Sequence, residues 1–121
     1  MKTLLAIFLL ISTSAFGAGF LQAFDDVPLM EGLSTNPPLV FDTQSMRFVE
    51  QFVAVKKGAT VEKDEFQKFY RDSLPSLGWR LIRTELDGNR VVFRREGEAL
   101  SIEIKSEKPF VALFSLAPWG N

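Results

Sequence analysis

In Ala99-Leu100-Ser101-Ile102-Glu103-Ile104-Lys105, apolar and polar residues alternate from Leu100 onward. Leu100, Ile102 and Ile104 fall on one side of an extended chain. Ser101, Glu103 and Lys105 fall on the other, the pattern of a strand with one face on a core and one in water. The flanking sequence repeats the theme. Upstream, Trp79 to Glu85 and Arg90 to Arg95 are strand-sized, separated by the hairpin signal Asp87-Gly88-Asn89 and closed by Glu96-Gly97-Glu98. Downstream, Ser106-Glu107-Lys108-Pro109 turns the chain into a last strand, Phe110 to Leu116.

Further upstream the period changes. Phe66, Phe69, Tyr70, Leu74 and Leu77 recur at spacings of three and four, which places them on one helical face. Thr60 is the expected N-cap, with Glu62, Asp64 and Glu65 where the helix dipole favours negative charge. Pro75 ends the regular helix, and Gly78 closes an extra turn over Leu74 to Leu77. Before the helix, Leu39-Val40-Phe41 and Met46 to Val55 form a hairpin around Asp42-Thr43-Gln44-Ser45. The order β-β-α-β-β-β-β predicts an α+β fold, a two-layer sandwich with one helix packed on a largely antiparallel sheet. The uncovered face is expected to carry Arg90, Arg94, Ser101, Glu103 and Lys105.

Residues 18–38 hold three of the six prolines and show no sustained period. Phe20, Leu21, Phe24, Val27, Leu29, Met30 and Leu33 make the stretch too apolar for a disordered tail, so part of this arm is expected to lie against the domain. The first seventeen residues have another character. A single Lys2, the apolar run Leu4 to Ile11 and the small residues Ala15 and Gly17 are the layout of a secretory signal peptide, cut between Gly17 and Ala18. The alternative is retention as an uncleaved membrane anchor, but the run is too short for a spanning helix, so no transmembrane segment is expected after cleavage. The expected organisation is a signal peptide at 1–17, a proline-containing arm at 18–38 and one domain at 39–121, delivered to the periplasm or secreted.

Composition narrows the chemistry. The 121 residues include no cysteine and no histidine. This removes thiol nucleophiles, thiolate and imidazole metal ligands, a lipidated cysteine and Ser-His catalysis. Net charge is −1, which gives no electrostatic reason to expect nucleic acid as a partner. No cofactor or metal site is legible. Phe occurs 12 times, so aromatic rings are expected to fill much of the core.

Two stretches, Phe24-Asp25-Asp26-Val27-Pro28-Leu29-Met30-Glu31-Gly32-Leu33 and Phe69-Tyr70-Arg71-x-x-Leu74-Pro75-x-Leu77-Gly78-Trp79, joined by Val40-Phe41-Asp42, carry a resemblance. With the leader, they resemble a group of small exported proteins of Gram-negative bacteria that has no assigned activity. The resemblance implies a location and not a reaction. The helix followed by Leu-Gly-Trp also resembles α+β modules of envelope proteins, including pieces of outer-membrane assembly lipoproteins, although this chain lacks the lipidated cysteine.

Three sets of residues are candidates for function. Asp25 and Asp26, with Asp42 and Glu31, are the acidic residues outside the helix that a carboxylate-only hydrolase or lyase would use. The spacing of a calcium-binding EF-hand loop is absent, and turn chemistry explains adjacent aspartates as well. Arg80, Arg83, Arg90, Arg94 and Arg95 gather on consecutive strands. They suit either an anionic ligand or cross-strand pairing with Glu85, Glu96, Glu103 and Glu107, and the interleaved signs favour pairing. Phe110, Leu113 and Phe114 lie on a strand that is apolar on both faces. At a sheet edge such a strand needs a cover, whereas in mid-sheet it is core. Trp119, close behind it, is a docking candidate. Tyr70 and Trp79 read as core aromatics. The expected function is a small periplasmic, non-enzymatic protein that binds or supports a cell-envelope partner, the carboxylate enzyme being the alternative.

Overall fold

The computed structural model describes residues 19–24 and 26–119. The leader expected at 1–17 lies outside the described residues, as does Asp25. Seven strands and one α-helix follow in the order β1 (Leu33–Thr35), β2 (Leu39–Asp42), β3 (Arg47–Val55), α1 (Lys63–Ser73), β4 (Arg80–Glu85), β5 (Arg90–Arg95), β6 (Glu98–Glu107) and β7 (Phe110–Pro118). All pairings between them are antiparallel. The sheet runs β1-β3-β7-β6-β5-β4, and β2 also pairs with β3, so β1 and β2 share one edge.

The additional strand relative to the sequence reading is β1, and it belongs to the arm. Leu33 sits opposite Val55 and Thr35 opposite Val53. Leu21, Phe24, Val27 and Leu33 are all buried, so the arm and the remainder of the chain share one core. Each such side chain contributes roughly 1.5–3 kcal/mol of transfer free energy. Polar bonds hold the arm in register. Lys56 N–H donates to Gly32 O at 2.8 Å, Asn36 N–H to Phe52 O at 3.0 Å, and Gln51 Nε2 to Asn36 O at 2.8 Å.

The helix begins two residues later than its sequence suggested, with Glu62 rather than Thr60 at the N-cap. Val61 explains the shift. It is buried just before the cap while Phe66 is buried four positions after it, the arrangement of a hydrophobic staple. Glu62 N–H donates to Glu65 Oε1 at 3.4 Å. After Ser73 the chain tightens into a 3-10 turn at Pro75–Leu77, ended by Gly78 at φ 94°. A left-handed residue there lets Trp79 fold back and donate its N–H to Leu74 O at 3.1 Å.

Phe66 and Tyr70 of α1 pack on the inner face of the sheet. Ring centroids of Phe66 and Phe110 are 4.8 Å apart, and those of Tyr70 and Phe114 are 5.2 Å apart. Phe24 of the arm meets Phe114 edge-on at 6.2 Å. Helix and arm therefore divide one face of the sheet between them. The division is incomplete for a geometric reason. Six strand positions at about 4.8 Å spacing make a sheet roughly 24 Å wide, whereas one helix with its side chains covers about 10–12 Å. The arm extends the cover toward β3, and at the far edge Leu81 of β4 is left 41% exposed although Phe93 of β5 is buried.

Candidate functional site

The carboxylate candidates are not assembled into one site. Both oxygens of Asp26 face the guanidinium of Arg95. One bonds Nη1 and the other accepts from Nη2 at 3.2 Å. Asp42 is exposed on β2, opposite Arg47, at the other edge of the sheet. Asp25 lies outside the described residues. Among the described residues, no group of three or more acidic side chains is placed to hold a metal ion.

The arginines divide their roles. Arg83 Nε bonds Glu85 Oε2 at 2.6 Å, and Arg90 Nε lies 3.4 Å from Glu85 Oε1, so one carboxylate serves two strands. Arg95 departs from the expected ladder because the β5 terminus lies under Gly78. It reaches Asp26, donates to Leu77 O at 3.0 Å and lies over the Trp79 ring at 4.2 Å. Arg80 and Arg94 stand directly opposite each other on β4 and β5, an unfavourable juxtaposition of like charges. Arg94 and Arg83 both lie over the Trp119 ring, at 5.4 and 5.7 Å. The electron-rich ring face attracts both of these guanidinium groups and so favours Arg94 where it stands.

Of the two places open to the apolar last strand, edge or mid-sheet, it takes the interior one. β7 pairs with β3 on one side and β6 on the other. Phe110 and Phe114 are buried against the helix, and Leu113 points to the opposite face, level with Phe52. Neither phenylalanine is available to a partner. Apolar character on both faces arises here because one face meets α1 and the arm, while the other adjoins an apolar patch.

That patch is the exposed surface which the sequence reading missed. On the outer face, Leu39 is 70% exposed, Phe41 64%, Phe52 42% and Phe48 39%. Phe41 and Phe48 are cross-strand partners with ring centroids 6.3 Å apart. The signal was present in β3, where Phe48 and Phe52 occupy the solvent phase of the alternation, in step with Glu50, while Val49, Gln51 and Val53 point inward. β2 is an edge strand with all four residues exposed.

A second feature lies where the helix meets the β4 edge of the sheet. A cavity of about 210 Å³ lies between α1 and strands β4 to β6. Phe66 and Tyr70 form its helical wall, and Leu81, Val91, Phe93 and Ile102 contribute to its sheet wall. Arg71, Thr84 and Asn89 supply polar groups. Gln67 Nε2 donates to Gly88 O at 2.7 Å, tying the helix to the β4–β5 turn at that end. Asn89 Oδ1 is buried without a hydrogen-bond partner. Burial drives the Tyr70 phenol well above its ordinary pKa of 10.0, an effect reduced by the bond from the Met30 N–H, so Tyr70 is a neutral wall and not a proton carrier. No protein-family model matches the chain, and neither a curated protein nor a solved structure matches it.

Proposed function

We propose that the chain is an exported, non-enzymatic binding module that engages a protein of the cell envelope. The observation that carries this reading is the apolar patch of Leu39, Phe41, Phe48 and Phe52 on an edge strand and its neighbour. Contiguous exposed aromatics of this kind are expensive to keep in water and mark contact surfaces. An edge strand also offers backbone donors and acceptors to an incoming strand. The leader at 1–17 and the resemblance to small exported proteins support the envelope as the compartment. The engagement of Asp26 by Arg95, away from Asp42, favours binding over carboxylate catalysis.

The test is crosslinking in an envelope extract with wild-type protein beside Phe41→Asp and Phe48→Asp. A partner captured by the wild type and lost from both variants, with unchanged circular dichroism, supports the reading. Capture that is indifferent to both changes refutes the surface. Mass spectrometry of the periplasmic product is expected to find Ala18 at its N-terminus, and full-length protein confined to the cytosol refutes export.

A further inference from the structure

We infer that the cavity between α1 and strands β4 to β6 is a binding site for a small aromatic carboxylate. Its size, about 210 Å³, equals roughly seven water volumes, below the range of pockets for drug-sized ligands and right for a single ring with a short side chain. Its walls decide the body of the ligand. Phe66, Tyr70, Phe93 and Ile102, all nearly fully buried, form its apolar floor, and the more exposed Leu81 and Val91 form its rim. A largely apolar hollow of this scale suits an aromatic ring.

Arg71 decides the head group. It lines the same cavity from an exposed helical position and makes no ion pair with the described residues. The adjacent carboxylate, Asp72, is taken by Lys68 Nζ at 2.7 Å. A guanidinium beside an apolar opening is complementary to a carboxylate, which it binds with paired donors. Thr84 and Asn89 also line the cavity and add polar character beside Arg71. This site is separate from the β2–β3 patch, so it stands or falls independently of the partner reading.

The probe is 3-phenylpropionate, with 3-phenylpropanol as its neutral counterpart, titrated into the ¹⁵N-labelled protein. Saturating shifts confined to Arg71, Thr84, Asn89 and Val91 are expected, with the alcohol bound about tenfold less tightly for want of the charge-assisted bond. Arg71→Gln, at an exposed helical site, is expected to abolish that preference. Val91→Phe fills the cavity and is expected to remove binding of both compounds. Absence of saturation, shifts centred on Phe41 and Phe48, or equal affinity for acid and alcohol in the wild type would each overturn the inference. Should Val91→Phe fail to fold, the Arg71→Gln comparison decides the matter alone.

Discussion

The Tyr70 hydroxyl donates a 2.7 Å hydrogen bond to the carbonyl of Pro28, 42 residues earlier, and accepts the N–H of Met30 at 3.2 Å. One buried phenol thus satisfies two backbone groups of the arm and fastens it to the helix. In Tyr70→Phe both groups lose their partner, so the variant is expected to be less stable by about 1–3 kcal/mol in urea denaturation. The same bonds set a pH dependence. The folded phenol titrates above the unfolded value of 10.0, so its contribution is complete below that pH and is lost as pH rises beyond it. The stability gap between wild type and Tyr70→Phe is therefore expected to narrow above pH 10, by about 1.4 kcal/mol per unit. A gap that stays constant to pH 11 would contradict this account.

Arg95 is expected to matter more than the carboxylate it pairs with. Asp26 is 37% exposed, so solvent screening limits the effect of Asp26→Ala to about 0.5–1 kcal/mol. Arg95→Ala also removes the bond to Leu77 O and the stacking on Trp79, and is expected to cost about 1–3 kcal/mol. A double-mutant cycle in chemical denaturation separates the shared term from the rest.

Gly78→Ala combines two penalties. Its φ of 94° suits glycine, and an added Cβ would lie 3.1 Å from Arg95 Cδ. The backbone strain alone is about 1–2 kcal/mol. Thermal unfolding is expected to show this loss, together with a change in the fluorescence of Trp79 as Arg95 is displaced from the indole.

Phe114 and Phe41 separate core from surface. Phe114→Ala is expected to destabilise by about 3–5 kcal/mol, because the ring is fully buried between helix and arm. Phe41→Ser is expected to alter stability by no more than about 1 kcal/mol and to lower the binding of a hydrophobic dye. A large stability loss from Phe41→Ser would mean that the patch is structural.

Much of this fold was legible where a period was long enough to read. The helical face of Phe66, Phe69 and Tyr70 and the alternation of Leu100, Ile102 and Ile104 correspond to burial in the structure. β1 spans three residues, too few to show a period, and its place depends on pairing with β3, some twenty residues away. The partnership of Asp26 with Arg95 spans 69 residues and leaves no local trace. The interior place of β7 follows from strand order, which a mostly apolar seven-residue run does not encode by itself. The cavity arises from a mismatch of widths between layers, so it is a property of the assembly and not of any motif.

The position of β7 has a consequence for how the chain reaches its final form. β1 to β3 form one antiparallel group and β4 to β6 another, and the pairings that join them run through β7. Among these strands β7 is the last to be synthesised, so the two groups can be zipped into one sheet only after Phe110 to Pro118 has emerged. A nascent chain halted at Ser106 would carry two half-sheets, each with a bare apolar flank. Such a polypeptide would remain open and threadable until its synthesis is nearly finished.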